Sequence, residues 1–218
     1  MIGAVIGIKG RFISLNCMKM RLTLLLCFAL AAAGGVSAQI VPAPAEKAVF
    51  AGGCFWCMQP PFDHAAGVIS TLVGFAGGAE PNPTYEQVSS GETGHREAIE
   101  VTFDPAKTSY AKLLEVFWRN ISPIQRDGQF QDVGEQYTSA IFYNNEAQHA
   151  AAEASKSALE RSARFAKPIA TVILPAGKFW PAEEYHQKYY LKNRMAYGMY
   201  HFASGRAAFQ QRYWGAGE

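Results

Sequence analysis

The chain has 218 residues, 49% hydrophobic and 17% charged, with 20 basic and 18 acidic residues and a formal net charge of +2. That length and balance suit one globular domain with a sizeable core and exclude a disordered or low-complexity chain. No block of like charges runs along it, so the composition offers no stripe for nucleic acid.

Residues 1–38 read as a secretory signal peptide. Lys19 and Arg21 form a charged start, residues 22–33 an apolar run short of a bilayer span, and Val36-Ser37-Ala38 a small-residue cleavage site. The stretch ahead of Met18 makes the charged region unusually long, so Met18 or Met20 is the alternative start. Competing readings are an uncleaved anchor and a lipoprotein acylated at Cys27. The second is weakened by Leu26, which stands where a small residue belongs. The leader holds four of the 20 basic residues and none of the acids, so the mature chain is net acidic. Cys17 and Cys27 leave with it, and Cys54 and Cys57 remain. The expectation is a periplasmic or secreted protein without stable membrane insertion.

Residues 39–45 read as a linker and 46–218 as one domain. An apolar run at 48–51 predicts a strand ending at Gly52-Gly53. A helix starts at Cys54, and Pro60-Pro61 must break it, kink it or begin a new first turn. Residues 68–75, rich in β-branched side chains, predict a strand closed by Gly77-Gly78. Thr84 caps a short helix through Val88. Ile99, Val101 and Phe103 alternate with polar residues in a half-buried strand stopped by Asp104-Pro105. Ser109 starts an amphipathic helix with Tyr110, Leu113, Leu114, Phe117 and Trp118 on one face. A long loop at 121–135, a strand at 136–143, a helix from Asn145 to about Arg164 and a strand at 169–174 follow. Pro181 opens a helix to about Lys192, and the remainder reads as an irregular tail. The fold class is α/β (α+β), a single domain with helices packed on a mixed sheet.

Chemistry concentrates in GCFWC at residues 53–57. The Cys-x-x-Cys spacing lets one thiol attack and the other resolve what forms on it. As a structural bridge the pair would close too small a loop to gain much. Cys54, at a helix N-terminus, is expected to have its thiol pKa lowered by unpaired backbone N–H groups. Zinc would need further ligands, and the five histidines are scattered. Phe55 and Trp56 are either core or the wall of a pocket beside the thiol. Glu97 is a candidate general acid if its carboxyl lies in an apolar pocket. The competing reading is a solvated glutamate paired with Arg96. Composition alone does not single out Tyr85 and Tyr137 as hydroxyl donors, and Asp132 reads equally as a turn residue.

The chain resembles the A-type peptide methionine sulfoxide reductases. The resemblance rests on GGCFWC at 52–57, GFAGG at 74–78, NPTYEQV at 82–88, SGETGHREAIEVTFDP at 90–105, GQFQDVGEQYTSAIFY at 128–143 and AEEYHQKYY at 182–190. It implies a two-layer α/β sandwich. Cys54 becomes the nucleophile, Glu97 the acid that protonates the sulfoxide oxygen, and Tyr85 and Tyr137 the hydroxyls that bind that oxygen. Asp132 becomes the acid ordering the polar side of the site, and Phe55 and Trp56 the wall for the methyl group. It further implies specificity for the S epimer, methionine-sulfoxide-containing proteins as substrates and a thioredoxin-like reductant. No metal or organic cofactor is implied, and a monomer is expected. Many members keep resolving cysteines near the C-terminus, and residues 189–218 hold none, which leaves Cys57 as the resolving thiol. Phe75 and Ser122 are minor departures, standing where the family often has Tyr and Asp. The rivals are a general thiol–disulfide oxidoreductase and a module that binds oxidised segments without turnover.

Overall fold

A computed structural model describes residues 44–215. The expected signal peptide, most of the expected linker, and Cys17 and Cys27 lie outside the described residues. β1 (Glu46–Ala51) leads through Gly52-Gly53 into α1 (Phe55–Asp63). β2 (Val68–Ala76) precedes α2 (Tyr85–Ser89), which opens on a capping box between Thr84 and Gln87. β3 (Arg96–Phe103) is followed by α3 (Tyr110–Arg119), which opens where Ser109 accepts the Lys112 N–H. A small hairpin, β4 (Gly128–Gln129) and β5 (Asp132–Val133), sits inside the expected long loop. β6 (Ala140–Tyr143), α4 (Glu146–Arg161) and β7 (Val172–Pro175) form a crossover unit. β8 (Trp180–Pro181), α5 (Tyr189–Lys192), α6 (Arg194–Ala203) and α7 (Arg206–Trp214) complete the order.

The main sheet has six strands in the order β7-β6-β1-β3-β2-β8. Only β6 and β7 pair in parallel, as the intervening helix requires. Side chains alternate across the strands. Ala48, Phe50, Ile99, Val101 and Phe103 meet Met58, Phe62, Leu113, Leu114 and Phe117 from α1 and α3 in the main core. Val49, Ala51, Ala98, Ala140 and Phe142 form a thinner cluster on the opposite face. Phe50 lies at the centre, its ring 5.2 Å from both Phe62 and Phe117. The predicted α/β class and the apolar face of α3 agree with this architecture.

Three expectations are corrected and one alternative falls: Pro60 and Pro61 lie inside α1 and do not break it. Neither has an N–H for the carbonyls of Trp56 and Cys57, yet Met58 and Phe62 on either side are fixed in the core and hold the helix. The strand predicted over 136–143 begins only at Ala140. Before it, Glu135–Tyr137 coil into a 3-10 turn, and buried Gln136 donates to Ser89 O instead of joining a ladder. Pro181 opens no helix: it pairs with Gly74 at the edge of the sheet, where a missing N–H is tolerated. Gly74 permits the approach, since a Cβ there would stand 2.2 Å from Trp180 O. The tail is helical, as α6 and α7. Tyrosines and arginine rather than an aliphatic stripe seat it, so hydrophobic periodicity gave no signal.

Candidate active site

The site forms where β1 turns into α1. Gly53 sits at φ +80°, and a Cβ on it would lie 2.5 Å from Gln129 Cβ and 2.8 Å from Arg206 Nη2. Only glycine suits both that backbone and that space. Cys54 then occupies the N-cap of α1, and Cys57 follows one turn later, its N–H donating to Cys54 O at 3.0 Å. Both thiols are free and only 7% and 2% exposed.

Glu97 lies on β3 opposite Phe75 and, by alternation, on the face it shares with Ile99, beneath the start of α1. It is 3% exposed, and its Oε2 accepts the Phe55 N–H at 2.9 Å. One of the helix's unpaired first-turn donors is thereby satisfied by the carboxyl. Burial pushes the Glu97 carboxyl well above the usual range, and the nearby Cys54 adds to this. The Phe55 N–H opposes it without prevailing. Arg96 points to the other face, where its Nε donates to Thr138 Oγ1 at 2.8 Å. The solvated Arg96–Glu97 pair is therefore ruled out.

Tyr85 is the first residue of α2. Its N–H donates to Glu183 Oε1 at 3.0 Å, and its ring lies 4.3 Å from that of His186. Burial, then Glu97 and Cys54, push its hydroxyl pKa up to about 12. Tyr137 closes the 3-10 turn after β5, and burial followed by Glu97 pushes its hydroxyl up as well. Both therefore remain O–H donors near neutrality. Asp132 accepts the Tyr200 O–H at 2.6 Å. Phe55 is fully buried with Val73, Phe75 and Val88, in a cluster against which Trp56 and Tyr85 pack. Trp56 is half-buried, donates from Nε1 to His186 Nδ1 at 3.0 Å, and stacks on Tyr189 at 3.8 Å.

The structure thus brings Cys54, Cys57, Glu97, Tyr85, Tyr137 and Asp132 into one electrostatic cluster. It also corrects the expectation for Cys54. The sulfur accepts no capping N–H, and Phe55 N–H is taken by Glu97, so burial pushes the Cys54 thiol up. The neighbouring Tyr200 hydroxyl opposes this in part. The Cys57 thiol is shifted the other way: its neighbour Cys54 lowers it most and Arg206 lowers it further, against the effect of burial. Tyr200, Tyr189, His186, Glu183 and Arg206 escaped the sequence reading. His186 and Glu183 lie within AEEYHQKYY, but the tail carried no comparable signal. Among the described residues, no group of three or more His, Cys, Asp or Glu gathers as a metal site.

A family model described as peptide methionine sulfoxide reductase matches residues 46–218. Peptide methionine sulfoxide reductase MsrA of Bacillus licheniformis is 53% identical over 170 residues, covering 78% of this chain and 94% of that one. MsrA of Listeria monocytogenes is 54% identical over 169 residues, covering 78% and 96%. Among solved structures, reduced Mxr1 from Saccharomyces cerevisiae superposes with a TM-score of 0.65 at 30% identity, covering 71% of this chain and 88% of that one. Methionine sulfoxide reductase A of Corynebacterium diphtheriae gives 0.60 at 33% identity, covering 69% and 76%. The chain belongs to the peptide methionine sulfoxide reductase family.

Proposed function

We propose that this family member reduces methionine S-sulfoxide, free and in proteins, through Cys54, and renews itself through a Cys54–Cys57 disulfide opened by a thioredoxin-like dithiol. The observation that carries the reading is Glu97: a buried carboxyl, its pKa raised by burial, held at the N-terminus of the helix that bears the thiols. A sulfoxide is a poor electrophile until its oxygen is protonated or strongly hydrogen-bonded, and Glu97, Tyr85 and Tyr137 supply a proton and two donors. A general thiol–disulfide oxidoreductase would have no use for those three groups.

The steps balance. The Cys54 sulfur attacks the sulfoxide sulfur while its proton passes to the Cys57 thiolate and the Glu97 proton passes to the oxygen. Methionine leaves, Cys54 is oxidised to the sulfenic acid, and Glu97 is left as carboxylate. Cys57 then attacks the sulfenic sulfur, and the hydroxyl departs with the Cys57 proton as water. A dithiol reduces the disulfide, and solvent restores the proton on Glu97. The leader pattern at 1–38 supports an exported form, periplasmic or secreted. An intact mass beginning at Gln39 would fit it, whereas a retained leader in the cytoplasmic fraction would end that part of the reading.

The test is a single turnover of pre-reduced protein with excess methionine S-sulfoxide and no reductant. About one methionine per chain, with both thiols lost, is expected. No methionine with both thiols still free would overturn the proposal.

A further inference from the structure

Arg206 is 2% exposed although it lies on α7, in the tail. Its Nη2 donates to Gly52 O at 2.8 Å and its Nη1 to Asn120 O at 2.6 Å, with the Met58 sulfur 3.7 Å away. The guanidinium covers the Phe130 ring at 4.6 Å, and Nε is buried without a partner. No carboxylate pairs with it among the described residues. A guanidinium keeps its charge in proteins, and burying it against neutral carbonyls alone is costly. A nearby anion is the complement such a cation lacks. Gly53 makes the approach possible, since any side chain there would collide with Nη2.

We propose that Arg206 is the positioning residue that seats the negative charge of the thiol pair on Cys57, readying Cys57 to resolve the sulfenic acid on Cys54. This rests on the reductase reading above. Arg206 reaches Gly52 O on one side of the thiol pair and the Met58 sulfur on the other, and the further groups that act on the Cys57 charge are Cys54 at the start of α1, Glu97 on β3, Asp132 on β5 and Tyr197 on α6. Cys54 and Arg206 favour the thiolate, while burial, Asp132 and Glu97 oppose it. Of these groups Arg206 is the one cation, and it acts on Cys57. Without it, each tenfold loss of Cys57 thiolate is partly offset by about threefold greater nucleophilicity, so disulfide formation slows about threefold.

The test reads Cys57 without sulfoxide. Iodoacetamide alkylation of the Cys57 peptide is followed against pH in Cys54→Ser, whose hydroxyl preserves the neighbouring donor. The same profile is measured with Arg206→Met and with Arg206→Lys added. A midpoint below the ordinary thiol value of about 8.5 is expected in the parent, retained by Lys and displaced to higher pH by Met. A parent midpoint at or above the ordinary value overturns the proposal, even if the Met variant fails to fold. An unmoved midpoint across all three makes Arg206 a structural staple only and also overturns it. Methionine formation in the single turnover is scored separately, so failure of the reductase reading and failure of the Arg206 role remain distinguishable.

Discussion

Glu97→Gln separates chemistry from stability. Gln keeps the shape, and its side-chain oxygen still accepts the Phe55 N–H that Glu97 holds at 2.9 Å. Its amide hydrogen-bonds a sulfoxide oxygen but transfers no proton. General acid catalysis contributes about 10²–10⁴-fold, so the methionine-forming step is expected to slow by that factor, a barrier increase of about 3–5 kcal/mol. Stability moves the other way. Glu97 is buried and its carboxyl is held well above the usual range, so the folded state keeps a proton that the unfolded chain releases above about pH 4.3. The stability it contributes is whole below that pH and is lost as pH rises toward the folded-state value, by about 1.4 kcal/mol per pH unit. Gln carries no such penalty. Scanning calorimetry at about pH 4 and about pH 7 is therefore expected to show the native protein losing more stability between the two than Glu97→Gln. Single-turnover kinetics on the same samples gives the rate. An unimpaired methionine step would remove Glu97 from the mechanism, and equal pH sensitivity of the two proteins would contradict its buried, protonated state.

Cys57→Ser is expected to form about one methionine per chain and then accumulate a sulfenic acid trappable by dimedone, whereas undiminished cycling with thioredoxin would reveal another resolving route. Phe50→Ala removes the ring that stacks on Phe62 and Phe117, and urea denaturation should show a loss of about 3–5 kcal/mol; less than about 1 kcal/mol would mean the core repacks around it. Gly53→Ala places a methyl against Gln129 and Arg206 at positive φ, so it should lower Tm and slow disulfide formation together, and native values for both would refute the tight fit. Tyr200→Phe removes the 2.6 Å hydrogen bond to Asp132 that fixes α6 over the thiols. A small dithiol should then reduce the oxidised protein faster, and an unchanged rate would show that α6 is no barrier.

What was legible in the sequence was local. The Cys-x-x-Cys spacing, the Thr84 cap and the apolar face of α3 each follow from residues within one or two turns of one another. Glu97 was ambiguous because its fate depends on register: pairing with Phe75 and sharing a face with Ile99 turns it inward, while its neighbour Arg96 turns outward. The Cys54 thiol went the other way from the helix-terminus rule because the rule presumes backbone donors aimed at the sulfur. Here Glu97 takes the Phe55 N–H, and tertiary burial outweighs the local effect. The tail was illegible because its helices are seated by Tyr200 on Asp132 and by Arg206 on Gly52 and Asn120, contacts 68 to 154 residues apart in sequence.

Those long-range contacts bear on the proposed resolution by Cys57. A resolving thiol carried on a distant segment must close a long loop to reach Cys54, at an entropic cost that grows with loop length. Cys57 lies one turn away, so resolution needs only side-chain motion within α1. The tail then supplies fixed groups: a hydroxyl on Asp132 and a cation pinned to two carbonyls. The same seating leaves the two thiols 7% and 2% exposed. An external dithiol has to touch sulfur to reduce it, so renewal of the enzyme requires local displacement of the cover over α1, whereas resolution does not.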